Sequence, residues 1–168
     1  MERVRLLRNI GCACALFRLA EPCTKNFWLN IDMPEWDING IIEYSNLRPM
    51  RKAHVYVPFY MPHSHPNWTA PDDDILAKAR EYLKSVNPGA AASEEAARLF
   101  RYEFAQPVCS PGFRHVLPPY ETGARHVFAA DTTHSFPEDR SINESVRIAG
   151  ELAELVKGTV CVAYGAGL

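Results

Sequence analysis

The sequence predicts an α+β fold built on a largely antiparallel sheet with helices beside it. Short segments rich in β-branched and aromatic residues occupy the first two thirds of the chain, and Pro, Asn and Asp separate them. One strongly amphipathic helical segment lies among these strands, and another follows in the last third. With 168 residues, of which 47% are hydrophobic, the chain is long enough to bury the core of one domain or of a large piece of one.

Five segments are predicted strands, because each is a short apolar or aromatic run bounded by turn residues. They are Ile10–Leu19, Asn26–Ile31, Gly40–Tyr44, His54–Tyr60 and Phe100–Phe104. An alanine-rich segment, Ser93–Leu99, is predicted to form a short helix before the last of them.

The clearest local prediction is a helix over residues 71–86. Thr69 is expected to cap it, Pro71 suits its first turn, and Asp72–Asp74 oppose the positive end of the helix dipole. Its apolar stripe consists of Ile75, Leu76, Ala79, Leu83 and Val86. The three aspartates could be considered a metal site, but acidic residues are ordinary in a first helical turn.

The last third combines a predicted strand, His126–Ala130, with a polar loop and a helix. Ser141 and Glu144 have the spacing of a capping box, so a helix should begin there and end near Gly158. Its predicted apolar face consists of Val146, Ala149, Leu152, Ala153 and Val156.

Asp131 follows the strand, and the helix begins within about a dozen residues of it. The first amides of a helix carry partial positive charge and stabilise an electron-rich oxygen, whereas a carboxylate accepts hydrogen bonds from hydroxyl groups. The arrangement therefore suits the polar edge of a cofactor. The spacing alone leaves the alternative open that Asp131 starts a turn and that the helix end faces water.

The segment from His126-Val-Phe-Ala-Ala-Asp131 through Arg140-Ser-Ile-Asn-Glu-Ser-Val-Arg147 resembles the C-terminal FAD signature of the amine oxidase, protoporphyrinogen oxidase and phytoene desaturase superfamily. The resemblance implies that Asp131 lies near the ribityl and pyrophosphate groups of FAD. It also implies that the main chain of Ile142 and Asn143 meets the flavin, with Glu144 and Ser145 in the first helical turn. The chain would then divide into a substrate-domain-like portion, 1–120, and a C-terminal FAD-binding segment, 121–168.

Two features depart from that superfamily. Ala130 stands where many members have glycine, and no Gly-x-Gly-x-x-Gly motif with a following acid occurs in the sequence. The Rossmann half is therefore expected to be absent, and the FAD site of this chain to be incomplete. A complementary Rossmann-containing chain or self-association would complete it.

The resemblance implies a fragment or subunit of a flavin-dependent oxidoreductase acting on a small-molecule substrate, and the chain alone is expected to be inactive. No catalytic residue is assigned. The residues expected to line the substrate pocket are Tyr44, Asn46, Tyr56, Tyr60 and Gln106. Two alternatives remain: a flavin-dependent mutase without net redox chemistry, and a non-catalytic binding or scaffold module derived from the family.

Composition excludes several other classes. The net charge of −2 gives no single-sign field for nucleic acid, and no apolar run approaches the length of a membrane span. No metal site is expected, since His63 and His65 lack a third ligand at a useful spacing. Five cysteines at irregular spacings favour free thiols and a cytoplasmic location.

Overall fold

The computed structural model describes the backbone of residues 2–165 and the side chains of residues 3–159. The elements along the chain are α1 Glu2–Leu6, β1 Asn9–Leu19, β2 Trp28–Asn30, β3 Gly40–Glu43, α2 Tyr44–Leu47, β4 Ala53–Met61, α3 Pro66–Thr69, α4 Asp72–Val86, α5 Pro88–Ala92, β5 Glu94–Pro107, α6 Phe113–Val116, a 3-10 turn Thr132–Ser135 and α7 Ile142–Gly165. The predicted α+β class and all five predicted strands of the first two thirds are confirmed.

The chain forms two compact units. The sheet unit is Asn9–Ala105, and the second, which we call the terminal unit, combines the first eight residues with those from Gln106 onward. These units have other bounds than the two predicted portions and do not test them. The division into a substrate-domain-like portion, 1–120, and an FAD-binding segment, 121–168, stays a prediction.

A five-stranded sheet in the order β2-β3-β4-β1-β5 forms the sheet unit. β4 pairs antiparallel with β1 over its whole length, from Met61 opposite Gly11 to Ala53 opposite Leu19. β2 pairs antiparallel with β3, and β3 with β4. β1 is therefore an interior strand, between β4 and β5.

One face of the sheet packs against α4. Because side chains alternate along a strand, every second residue of β1 and β4 points to this face and is buried. These residues are Ala13, Ala15, Phe17, Leu19, Ala53, Val55, Val57, Phe59 and Met61. The buried residues of α4 are Ile75, Leu76, Ala79, Tyr82 and Leu83, with Val86 partly buried beside them. The predicted stripe is thus confirmed, and Tyr82 is an addition to it.

Two local predictions around α4 are wrong. Pro71, not Thr69, is the N-cap of α4, and the Thr69 hydroxyl donates to the Pro66 carbonyl at 3.5 Å. Ser93–Leu99 is not a helix, because α5 ends at Ala92 and β5 begins at Glu94. Sheet pairing beside β1 overrides the helical preference of the alanines in this segment.

Two predictions in the terminal unit are also wrong. His126–Ala130 is not a strand, since only an isolated bridge joins Glu121 to Phe128 and His126 has a φ of 61°. α7 does not end near Gly158 but continues to Gly165. Its predicted apolar face is largely exposed, with only Leu152 half-buried, and Ile148, which is not part of that prediction, is buried.

Candidate functional site

Asp131 lies at the N-terminus of the 3-10 turn and caps it. Its Oδ1 accepts the Thr133 N–H at 2.9 Å, and its backbone N–H donates to Nδ1 of the neutral His134 ring at 3.3 Å. Oδ1 also lies 3.4 Å from this Nδ1 and accepts its hydrogen bond when the ring is protonated. The hydrogen bond from His134, followed by those from Thr133, lowers the pKa of Asp131 to about 2. Asp131 is therefore ionised at neutral pH, and its side chain is 66% exposed, so it can accept hydrogen bonds from a bound molecule.

His134 holds Asp131 in place from a more protected position. Its side chain is only 8% exposed and stacks on Tyr120 with ring centroids 4.9 Å apart. Nε2 lies 3.2 Å from the Pro118 carbonyl oxygen, so this nitrogen carries a proton. The hydrogen bond to Asp131 is the main cause that raises the pKa of His134.

Two concave surfaces of the terminal unit meet at Asp131. A cavity of about 690 Å³ is lined by Asp131, His134, Arg3, Thr122 and neighbouring apolar residues. A groove of about 270 Å³ lies between residues 130–132 and α7, and Ser145 and Leu152 line its helical side. The groove joins Asp131 to Ser145, two of the residues that the sequence analysis connects with FAD.

The first turn of α7 presents the other predicted cofactor residues. Ile142 is 84% exposed, and Asn143 is exposed beside it. Ser141 Oγ accepts the Glu144 N–H at 3.1 Å, which is one half of the predicted capping box. The Glu144 carboxylate pairs instead with Arg147 at 2.7 Å, and Ser145 Oγ donates to the Ser141 carbonyl at 2.9 Å.

In the sheet unit, Tyr56 and Tyr60 lie together on the sheet face that does not pack against α4, which we call the open face. They share this face of β4 with Pro58, and β1 places Leu16 and Cys12 directly opposite the two tyrosines. Both tyrosines are half-buried. The structure therefore brings together two of the five predicted substrate-pocket residues.

β5 extends the open face with aromatic side chains. Leu99 packs on the core and Arg101 donates to the Ala70 carbonyl at the N-terminus of α4, so both point to the α4 side. Phe100 and Tyr102 alternate with them and belong to the open face, where they are 53% and 65% exposed. Phe100 was not singled out from the sequence, although apolar side chains at alternate positions 100, 102 and 104 are the signal for it.

The start of β5 departs from this alternation. Glu94 pairs with Arg80 of α4 at 2.8 Å, whereas Glu95 pairs with Arg18 at 3.1 Å on the open face. The alternation that holds from Leu99 onward therefore does not extend back to Glu94 and Glu95.

The other three predicted pocket residues belong to elements other than β4. Tyr44 is in α2, and the Asn46 amide donates to the carbonyls of Thr24 and Asn26 at 3.1 and 2.9 Å. Gln106 belongs to the terminal unit and lines a cavity of only about 50 Å³. Asn46 thus stabilises the loop before β2.

The histidines have structural partners. His63 Nε2 lies 2.9 Å from the Glu103 carbonyl oxygen, and the His65 ring accepts the Asn67 N–H as the N-cap of α3. Among the residues that the structure describes, no group of three His, Cys, Asp or Glu side chains gathers as metal ligands would.

The thiols differ in their surroundings. Cys23 is buried, Cys109 is exposed, and Cys161 lies outside the described side chains. Burial raises the pKa of Cys14 to about 12 and that of Cys23 to about 11.

In the described part of the chain, no helix is long and apolar enough to cross a membrane.

The sequence matches no protein-family model and no curated protein. The fold is similar to the crystal structure of a "Putative protoporphyrinogen oxidase" from Exiguobacterium sp. 255-15, with a TM-score of 0.56 and 9% sequence identity. The similarity covers 68% of this chain and 27% of that one, so the chain spans about a quarter of the length of this structural relative. At this identity the similarity is one of fold.

Proposed function

We propose that this chain is a fragment or subunit of a flavin-dependent oxidoreductase of the amine oxidase type. The sheet unit would supply the substrate-binding surface, and the terminal unit would supply the closing part of the FAD site. The observation that carries the proposal is the groove in which Asp131 and Ser145 face the same space. The fold-level similarity to the bacterial protein named above supports it.

The residues of the terminal unit fit one part of FAD. The ionised Asp131 carboxylate is an acceptor for the ribityl hydroxyl groups, and the first turn of α7 offers a partial positive charge beside the exposed Asn143. Such a charge stabilises electron density on the edge of a flavin ring. FAD would supply a two-electron acceptor for hydride removal from the substrate. The pyrophosphate and adenosine have no glycine-rich loop in this sequence, so a complementary Rossmann-containing chain would hold them.

The exposed surface of α7 supports such a partner. Ile142, Val146 and Val156 are 84%, 67% and 39% exposed, and Ala149 and Ala153 continue the same stripe at spacings of three and four residues. A stripe of this kind on a soluble protein is typical of an interface. We expect the complementary chain to cover it.

The open face is the proposed position of the small-molecule substrate. Tyr56, Tyr60, Phe100 and Tyr102 give it an aromatic surface, and the charged pair of Arg18 and Glu95 lies at one end. The substrate itself is not defined by these residues. Hydride removal requires chiefly that the substrate be positioned against the flavin, so no general base is assigned.

The proposed FAD contact is tested with Asp131→Asn in the chain mixed with the Gly-x-Gly-x-x-Gly half of a related enzyme. Asn retains the capping hydrogen bond but removes the charge. We expect the dissociation constant for FAD, measured by flavin fluorescence, to rise about tenfold, as for a lost charge-assisted hydrogen bond. Asp74→Asn, on the exposed first turn of α4, is the matched control. Equal affinities for the two variants would contradict the assignment of Asp131.

A further inference from the structure

The sheet unit also contains a concave surface, which we call the Trp36 cavity. Its volume is about 320 Å³, and it lies between the end of β4 and the loop before β3. The residues that line it are Trp36, Asp37, Ile38, Asn39, Tyr60, Met61, Pro62 and His65. The volume is at the small end of the range for ligand sites and fits one compact ring.

An aromatic wall of the Trp36 cavity is held rigidly. Trp36 stacks on Tyr82 with centroids 4.4 Å apart and an interplanar angle of 16°. Tyr82 is itself buried on α4, and its ring packs against that of Phe59 with centroids 6.1 Å apart. The indole therefore loses little conformational freedom when a ligand packs against it, and it presents a flat apolar surface.

Asp37 supplies a fixed acceptor at the cavity. Its Oδ2 accepts from Asn67 Nδ2 at 3.0 Å and forms an ion pair with Lys78, and its backbone N–H donates to the Tyr82 hydroxyl at 3.3 Å. The hydrogen bond from Lys78 is the main cause that lowers the pKa of Asp37. Both contacts use Oδ2, so a ligand in the cavity would bond to the other carboxylate oxygen, Oδ1.

His65 supplies a donor. Its Nδ1 accepts the Asn67 N–H at 3.2 Å, so the neutral ring carries its proton on Nε2. The fold thus fixes the tautomer, and one ligand group can accept a hydrogen bond from Nε2. Asn39 adds an exposed amide with both a donor and an acceptor.

The charge balance selects the kind of ligand. Lys78 neutralises Asp37, so the Trp36 cavity carries neither the net negative charge that would attract a cation nor an excess of positive charge for an anion. A neutral molecule with hydroxyl groups that both donate and accept, and with one apolar face, matches the remaining groups.

We propose that the Trp36 cavity binds the ring of a neutral pyranose sugar, with an apolar face of the ring against Trp36 and hydroxyl groups bonded to Asp37 and His65. The site lies wholly within the sheet unit and does not depend on flavin binding.

Saturation-transfer NMR on the full chain tests the proposal with methyl β-D-glucopyranoside, methyl β-D-galactopyranoside and methyl α-D-mannopyranoside as probes. We expect transfer to the ring protons of at least one glycoside. Cyclohexylmethanol, which lacks the ring hydroxyls, and choline, a cation, should give weaker transfer. If none of the three glycosides gives a signal, the proposal is overturned. It is also overturned if cyclohexylmethanol or choline gives transfer as strong as that of the glycosides.

Two variants locate the binding. His65→Asn keeps a side chain that can cap α3 but withdraws the Nε2 donor, and Trp36→Phe keeps an aromatic partner for Tyr82 while reducing the apolar wall. Each should weaken glycoside binding about 5- to 10-fold, as the loss of one neutral contact does. His115→Asn, at an exposed position in α6, should leave it unchanged. Unaltered binding by both cavity variants, with their circular dichroism spectra retained, would place the sugar elsewhere and overturn the assignment.

Discussion

Gly11 shows how a single position is constrained by packing. The ring of Trp68 lies directly over this residue of β1, and a Cβ at Gly11 would be 2.4 Å from Trp68 Cζ3. No real Cβ contact is that short, so the ring or the strand must move if a side chain is added.

We predict that Gly11→Ala lowers the free energy of unfolding by about 1–3 kcal/mol, as overpacking does. Gly150→Ala provides the comparison, since no atom lies within 4 Å of a Cβ built there and the residue is inside α7. Alanine is the better helix former, so this change should raise the free energy of unfolding by about 0.5–1 kcal/mol. Urea unfolding measures both. A loss of stability at Gly150 equal to that at Gly11 would show that the contact with Trp68 is not the cause.

Asp131 and His134 make a pH-dependent contribution to the free energy of unfolding. The pKa of Asp131 falls from 3.8 to about 2, so its contribution is present above about pH 4 and is lost as the pH falls towards 2. The pKa of His134 is raised above 6.5, so its contribution is complete below that pH and is lost as the pH rises through the folded-state pKa. The pair therefore stabilises the fold most between about pH 4 and pH 6.5.

We predict that Asp131→Asn lowers the pKa of His134, which NMR titration of its ring proton measures. The free energy of unfolding should fall by less than about 1 kcal/mol at pH 5.5, because the Asp131 side chain is mostly exposed. The deficit should shrink at pH 9. A His134 midpoint that does not change in the variant would disprove the pairing.

The candidate site was only partly predictable at this scale. Asp131 and Ser145 could be found because both lie in one short segment with a recognisable pattern. Asn46 and Gln106 could not be judged, since their partners are set by the path of distant loops. The Asn46 amide is used by Thr24 and Asn26, which the sequence does not place beside it.

Among the elements, α4 was predictable because its signals are local. Its acidic first turn and apolar stripe lie within the helix itself, and the core against α4 follows from that stripe. β5 was not predictable at its start, since Ala96 and Ala97 favour helix and only pairing beside β1 makes them a strand.

His126–Ala130 shows the reverse case, in which a strand-like sequence forms no strand. A strand is stable only beside a neighbour, and the described residues give this segment one bridge. If a Rossmann-containing chain provides the neighbour, the segment should form a strand. We predict that hydrogen exchange of amides 126–130 slows by about tenfold or more when that chain and FAD are added. Residues 72–86 of α4 provide the internal control, and equal changes in both segments would contradict the prediction.

The exposed apolar stripe of α7 is expected to bind the complementary chain. Val146 is 67% exposed, so Val146→Ser should leave the midpoint of thermal unfolding nearly unchanged. The same change should weaken association with the complementary chain about tenfold, because it removes apolar area from the centre of the exposed stripe. Glu154→Gln, on the charged side of α7, is the control. Sedimentation velocity measures the association, and equal association of both variants would exclude the stripe as the interface.

For the whole molecule, the α+β class and the antiparallel sheet were predictable from the alternation of strands and turns. The division of the chain into the sheet unit and the terminal unit was not predictable, since the first eight residues join the unit formed by the end of the chain. Such an association brings together segments that are more than a hundred residues apart, as when Arg3 donates to the Leu117 carbonyl at 3.2 Å. No local pattern encodes it.

Under the proposed function, this chain completes an FAD site which it cannot form alone. The decisive experiment is an equilibrium titration of FAD into the purified chain, first alone and then with the Gly-x-Gly-x-x-Gly half of a related enzyme. We expect weak or no binding by either part alone and at least a hundredfold tighter binding by the mixture, since two partial sites act together. Equal FAD binding by the Rossmann half with and without this chain would contradict the claim, and the non-catalytic module would then be the better description.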